Sequence, residues 1–305
     1  MTIIDFNSMK DTVFAPGLHE PETPVALQDG GWLVVEMGAD AGGVTRVGAD
    51  GTTLERLVRT GRPNGVAIDG SGTLWIAESI GLGDGDGPGI KRLAPGGELE
   101  AVLDRCDGAP ILWPNDLAFG PDGALYFTDT GLTPPQLAGD APLDSYPWDG
   151  RVFRYEPATG AVSRLDSGLM AANGLVFGLD GALYVTESVT GHIYRYSLTA
   201  DGAVAERTHL PSITDPDGPQ PRVIGPDGLA AGDDGLLYVA LYGQAHIAVV
   251  DADGAVLRRI PVSGAAPSNC AFGLGPDPRL HITIVEPGAL TVLDVGCGGA
   301  PVHHP

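Results

Sequence analysis

The sequence predicts an all-β fold, a six-bladed β-propeller of four-stranded antiparallel blades, and three observations carry that expectation. Turn residues recur along the whole chain, one segment type returns six times, and no stretch sustains a helical period. The 46 glycines and 26 prolines of the 305 residues are spread along the chain, without the Pro/Gly tract of a linker. Many short strands joined by tight turns give that distribution.

Five segments share one grammar: an Asn or Asp, small apolar residues, a Gly/Asp turn, then a leucine, an aromatic and a β-rich run. They read PNGVAIDGSGTLWIAES from Pro63, PNDLAFGPDGALYFTDT from Pro114, ANGLVFGLDGALYVTES from Ala172, PDGLAAGDDGLLYVALY from Pro226 and SNCAFGLGPDPRLHITIVE from Ser268. The register is tight: Asn64 to Trp75, Asn115 to Tyr126, Asn173 to Tyr184 and Asp227 to Tyr238 are each 11 residues apart, and Asn269 to His281 is 12. A weaker sixth copy, ETPVALQDGGWLVVEM, starts at Glu22. Each copy reads as a hairpin, because the turn residues separate two runs of strand-forming side chains. Two further strand-like runs lie between successive copies, such as GRVFRYEP and AVSRLDSG, which makes four strands per unit. Successive anchors lie 51, 58, 54 and 42 residues apart, near the roughly 40–50 of propeller repeats. Six such units arranged radially leave only short, protected sheet edges. The last unit shows three strands, ending at ALTVLDVGC, so a strand from within residues 2–14 is expected to supply the fourth and close the ring. Residues 1–305 are then one propeller domain with a lid-like insertion at 130–150.

In such a ring the first strand of each blade is innermost and the anchor Asn or Asp stands at its start. Six strand starts therefore converge on one end of the central channel, and the loops after the second strands share that face. Two of those loops are long, Ser79–Gly89 and Thr130–Gly150, and the segment PSITDPDGPQPRVIGP before Asp227 is expected there too. Long loops without repeated structure tend to carry function. Glu22, Asn115, Asn173 and Asp227 offer only oxygen donors, a set that suits a hard cation such as calcium. The same residue types also cap backbone groups at strand starts. Against capping alone stands the cost of several kcal/mol for burying converging, unpaired carboxylates and amides. The acidic ends of the second strands, Glu36, Glu78, Asp129, Glu187 and Glu286, face the same way and are candidates for general base or for support of the ligands.

Charge and cysteine usage exclude other classes. Lys and Arg total 17 against 39 Asp and Glu, a net charge of −22, which repels nucleic acid and anionic membranes. Cys106, Cys270 and Cys297 are widely spaced, without a CxxC pair, as suits a reducing, cytoplasmic setting. The N-terminal MTIIDFNSMK has no basic segment leading into an apolar run, so neither a signal peptide nor a membrane span is expected. GxSxG, HExxH and GxGxxG are all missing. The seven histidines are scattered, and His281 occupies the aromatic slot of its blade, a core position.

At Glu22-Thr23-Pro24-Val25, Pro114-Asn115-Asp116-Leu117 with PDGALYFTD after it, Asn173-Gly174-Leu175, Pro226-Asp227-Gly228-Leu229 and Ser268-Asn269-Cys270-Ala271-Phe272-Gly273, the chain resembles the family of senescence marker protein and gluconolactonases. The resemblance covers nearly the whole chain. It implies one divalent metal held by Glu22, Asn173 and Asp227, with Asn115 a further ligand or a substrate contact. Calcium is the first expectation, with zinc, manganese, magnesium and iron as alternatives. It also implies hydrolysis of lactones and related esters, Asp227 helping to activate water. Many gluconolactonases carry Arg two residues before the Asn of the third-blade motif, where this chain has Trp113. An indole there, with Tyr146 and Trp148 in the insertion, predicts a small-molecule substrate less polar than a sugar lactone; Asn64, one blade earlier, is a further candidate substrate contact. The rival expectations are a non-catalytic ligand-binding or scaffold propeller with a structural metal, and a non-hydrolytic enzyme of the strictosidine-synthase-like kind.

Overall fold

A computed structural model describes residues 9–83, 86–137, 140–275 and 277–305. Among these described residues twenty-six strands, β1 to β26 in chain order, form six four-stranded antiparallel sheets and one two-stranded hairpin. The first blade is β2 (Pro21–Ala26), β3 (Trp32–Glu36), β4 (Gly43–Val47) and β5 (Leu54–Arg59). The second runs β6 (Pro63–Ile68), β7 (Leu74–Glu78), β8 (Gly89–Leu93) and β9 (Leu99–Leu103). The hairpin of β10 (Arg105–Cys106) and β11 (Ala109–Pro110) follows, a small addition that the repeat does not announce. The third, fourth and fifth blades begin at β12 (Pro114–Phe119), β16 (Ala172–Phe177) and β20 (Gly225–Ala231).

The sixth blade is β24 (Pro267–Phe272), β25 (Leu280–Ile284), β26 (Ala289–Leu293) and, outermost, β1 (Thr12–Pro16). The expected N-terminal closing strand is therefore present but two residues further along, at 12–16, where Thr12 pairs with Val292 and Pro16 with Ala289. Residues 2–8 of the expected window lie outside the described residues. No α-helix occurs among the described residues, only 3-10 turns at Pro134–Leu137 and Leu143–Ser145 in the insertion.

One polar bond recurs blade after blade. The aromatic of the second strand reaches back to the aspartate of the preceding turn: Trp75 Nε1 to Asp69, Tyr126 Oη to Asp122, Tyr184 Oη to Asp180 and Tyr238 Oη to Asp234, at 2.8–3.0 Å. Each ring packs in the apolar layer between blades while its polar atom locks the turn, a bond worth about 1 kcal/mol. His281 stands in this slot in the sixth blade, buried between Phe14 and Trp32. The core reading of that histidine holds.

Side chains also tie neighbouring blades together near the axis. Thr23 Oγ1 donates to the carbonyl of Asn64 at 3.0 Å, Thr186 Oγ1 to that of Asp227 at 2.7 Å, and Ser268 Oγ to that of Pro21 at 2.9 Å. The last of these joins the sixth blade to the first. At the other end the C-terminal tail crosses the channel. Ala300 N donates to Ala231 O at 2.8 Å, His303 stacks edge-on against Phe177, and Gly70 N donates to Pro305 O at 2.8 Å. Between this strap and the anchors lies a mainly apolar cavity of about 190 Å³, whose walls include Val66, Leu117, Phe119, Phe177 and Phe272.

Candidate functional site

The anchors stand at equivalent places. In every blade the register of the innermost strand breaks immediately beside the anchor: between Glu22 and Val25, Pro63 and Gly65, Pro114 and Leu117, Ala172 and Leu175, Pro226 and Leu229, Pro267 and Asn269. Such a bulge releases the strand start from its ladder and re-aims its side chain. Close approach between neighbouring starts explains the residue after the anchor. A Cβ at Gly228 would lie 1.9 Å from Asn269 Cγ, and one at Gly174 would lie 2.5 Å from the carbonyl of Asp227. Thr23, next to Glu22, adopts φ 40°, which a β-branched residue avoids. Backbone strain thus sits at the ring itself.

Glu22, Asn64, Asn115 and Asn269 are buried, whereas Asn173 and Asp227 keep partial exposure, so the ring opens towards blades four and five. Glu22 accepts from Thr23 N at 2.7 Å and from the Asn269 side chain. Asn173 Nδ2 donates to Ser188 Oγ at 3.0 Å, and that hydroxyl donates onward to Pro226 O at 2.8 Å. The chain of donors fixes the amide and leaves its carbonyl oxygen free. Asn173 also reaches the Asp227 carboxylate. Asn115 Nδ2 donates to Thr130 Oγ1 at 3.4 Å. Asn64 is set apart from the others, its amide meeting Met37 Sδ at 3.4 Å.

A third acid joins Glu22 and Asp227. Asp116 is buried and accepts from Leu117 N at 2.8 Å, Leu175 N at 3.2 Å and Asn269 Nδ2 at 3.4 Å. Asn269 thereby bridges Asp116 and Glu22. The sequence did carry a signal for Asp116: in the other blades the residue after the anchor is Gly, Thr or Cys. Burial pushes both Glu22 and Asp227 well above the usual carboxylate range, and the neighbouring carboxylates push them further. Burial holds Asp116 at about 6. Among the described residues no three His, Cys, Asp or Glu side chains gather closely enough to hold a metal ion by themselves. A cation here would rely on asparagine oxygens as well as on Glu22 and Asp227, and repelling carboxylates beside fixed amide oxygens form a donor set that fits one.

The acidic strand ends have a different task. Glu36 accepts from His19 N at 2.8 Å, Glu78 from Arg62 N at 2.6 Å, Asp129 from Trp113 N at 2.9 Å and Glu187 from Met170 N at 2.6 Å. Each pins the segment that leads into its own blade, 16 or 17 residues back. Asp129 is also paired with buried Arg151 at 3.2 Å, and Glu36 with Arg56 at 2.5 Å. These four support the anchors from behind. Glu286 is exposed.

Trp113 is half-buried two residues before Asn115, and its Nε1 is shielded without an acceptor. Tyr146 and Trp148 are half-buried in the insertion, their rings 6.4 Å apart. Trp148 Nε1 donates to Leu143 O at 2.7 Å, which fixes its ring within the loop. Arg222 Nη2 donates to Tyr146 Oη at 3.2 Å and to Ala141 O at 3.3 Å. The insertion thus meets the segment before Asp227, as expected for two loops on one face. Arg62 turns away from the ring and pairs with Glu20 at 3.0 Å. The Ser79–Gly89 loop includes residues 84 and 85, which lie outside the described residues.

Residues 78–286 match the model of the SMP-30/gluconolactonase/LRE-like region. A gluconolactonase of Zymomonas mobilis is 31% identical over 217 residues, 69% of this chain and 57% of that protein. A strictosidine synthase-like protein of Arabidopsis thaliana is 32% identical over 146 residues, 47% of this chain and 36% of that one. These matched stretches thus span less than two thirds of either relative. A solved structure of a gluconolactonase from Xanthomonas campestris superposes with a TM-score of 0.73 at 26% identity, covering 94% of this chain and 89% of that chain.

Proposed function

The chain belongs to the SMP-30/gluconolactonase/LRE-like family, and from that premise we propose that it is a metal-dependent hydrolase of lactones, acting on a ring less polar than a sugar lactone. The observation that carries this reading is a pair of mutually repelling carboxylates, buried Glu22 and partly exposed Asp227, set beside fixed amides at an open channel end. Glu22, Asn115, Asn173 and Asp227 would hold one divalent ion, calcium before zinc, manganese, magnesium or iron because every donor is oxygen. Such an ion supplies a Lewis acid for the lactone carbonyl and lowers the pKa of water.

The chain's own residues do the rest. Asp227, partly exposed, takes the proton of the attacking water at its carboxylate. Oxygen adds to the carbonyl carbon, the ring C–O bond breaks, and the departing ring oxygen takes the proton back to leave a hydroxy acid. Asn269 holds Glu22 and is itself held by Asp116. Trp113 would present an apolar face, its N–H shielded, while Asn64, Tyr146 and Trp148 would line the approach. Residues 1–305 then work as one propeller, with 130–150 as its lid. The three free cysteines accord with a cytoplasmic setting. A screen of lactones and esters with several divalent metals tests the reading: activity lost on chelation and restored by metal supports it. Metal binding without any turnover would favour a ligand-binding propeller. Turnover of a substrate without hydrolysis of any lactone or ester would favour a non-hydrolytic enzyme of the strictosidine-synthase-like kind.

A further inference from the structure

Between blades five and six, on the face that carries the anchors, runs a groove lined by Pro219, Pro221, Val223, Tyr242, Ala265 and Ala266. Its lining is mainly apolar, with Gln220 the polar member, and the large hydrophobic Val223 is 49% exposed. The wall is built rather than loose. Gln244, fully buried, accepts from Asp215 N at 2.9 Å and donates to Asp215 O at 2.8 Å and Pro219 O at 3.2 Å. Arg259 donates to the carbonyls of Ile213 and Thr214. Gly243 lets the wall close in, since a Cβ there would lie 2.6 Å from Val223 O and 2.8 Å from Pro221 Cγ. From the other side Arg222 ties the same segment to the insertion.

The groove reaches the ring through Tyr242. Its backbone pairs with Gly225, two residues before Asp227, and burial, then the charges of Asp227, Glu20, Glu286 and Glu22, raise its phenol. The ring opens on this same side, at Asn173 and Asp227. A lactone with its carbonyl at the ring would therefore direct a substituent along Tyr242 and out over Val223.

We propose that this groove takes the alkyl substituent of a substituted lactone, with Val223 and Ala266 as its walls and Tyr242 as its floor. The assignment rests on the lactone-hydrolase reading and names the substrate class within it. Full burial of a methylene favours binding about fourfold, and an open groove about twofold.

The test uses two series carrying side chains from methyl to hexyl: γ-alkyl lactones for kcat/KM, and the matching lactams, which resist hydrolysis, for calorimetric binding. In wild type both quantities should rise about twofold to fourfold per methylene. Val223→Asp and Ala266→Asp should each flatten both slopes, whereas Leu179→Asp, at an exposed turn on the opposite face, should keep them. Flat wild-type slopes, or slopes that survive both groove substitutions, overturn the proposal. Lactones hydrolysed without a slope would sink the groove and leave the hydrolase standing. Lactams bound with a slope that Val223→Asp removes, with no lactone hydrolysed, would keep the groove and sink the hydrolase.

Discussion

His281 fills the slot where three other blades place a tyrosine and one a tryptophan, and its burial makes the sixth blade acid-sensitive. Its Nδ1 lies 3.1 Å from Arg279 O, while Nε2 is buried without a partner. Burial pushes the imidazole down from 6.5 to about 4, against the raising effects of the Arg279 carbonyl and Asp277. Above about pH 6.5 neither folded nor unfolded chain binds this proton, so the histidine's contribution is fully present. As the pH falls from there towards 4, the unfolded chain takes up a proton that the folded chain refuses, and stability drops. By about pH 4.5 the loss amounts to about 2.5 kcal/mol. At roughly 2 °C per kcal/mol for a chain of this size, the melting temperature should fall by about 5 °C from this group alone. The assay is calorimetry of wild type and His281→Phe from pH 7.5 to 4.5, roughly the window the shift defines. Carboxylates titrate in both proteins and cancel in the difference, so wild type should fall about 5 °C further than the variant. Parallel curves would show that His281 stays neutral in the unfolded chain or charged in the fold, and would refute the reasoning.

Four further expectations concern the ring. Purified protein should bind about one divalent ion, with the melting temperature rising as free ion exceeds its dissociation constant; no bound metal and no shift with calcium, manganese or zinc would remove the site. Glu22→Ala and Asp227→Ala should abolish metal affinity with an unchanged circular dichroism spectrum, and Asn269→Ala should weaken it about 10- to 100-fold through loss of Glu22's support. Asn64→Ala should matter least, and equal losses at all four positions would favour backbone capping instead. Gly228→Ala should destabilise by about 1–3 kcal/mol in urea unfolding, because its Cβ would overlap the Asn269 amide; an unchanged midpoint would show that the ring can spread. Trp113→Arg should move the kcat/KM ratio towards glucono-lactone by about tenfold, and a wild type that already prefers the sugar lactone by that margin would show that Trp113 does not set selectivity.

Much of the fold was legible because propeller repeats write their register into local sequence. Asn115 and Tyr126 mark a strand start and an aromatic slot through turn chemistry that acts within a dozen residues, and β12 and β13 (Leu125–Asp129) form where that spacing places them. The closing strand was harder to place, since β1 pairs with β26 across almost the whole chain and no local period marks its start. The strand-end acids were ambiguous for a related reason. Asp129 looks like a free carboxylate in sequence, and only the folded backbone of Leu112, Trp113 and Gly131 saturates it.

Six anchors at six strand starts, and the face they share, follow from the sequence alone, because a repeated hairpin has one inward edge and one end for each of its loops. The tertiary structure decided which anchors meet. Asp116 joins Glu22 through Asn269, which lies 153 residues further along the chain, and no pattern of short period can report a contact of that span. It also decided that the ring opens beside Asp227 and that an apolar groove leads away from it. That groove exists only where the segment held by Gln244 comes to rest against Ala265 and Ala266. Strand starts are set by local backbone preference, whereas pockets are set by which distant loops come to share a wall.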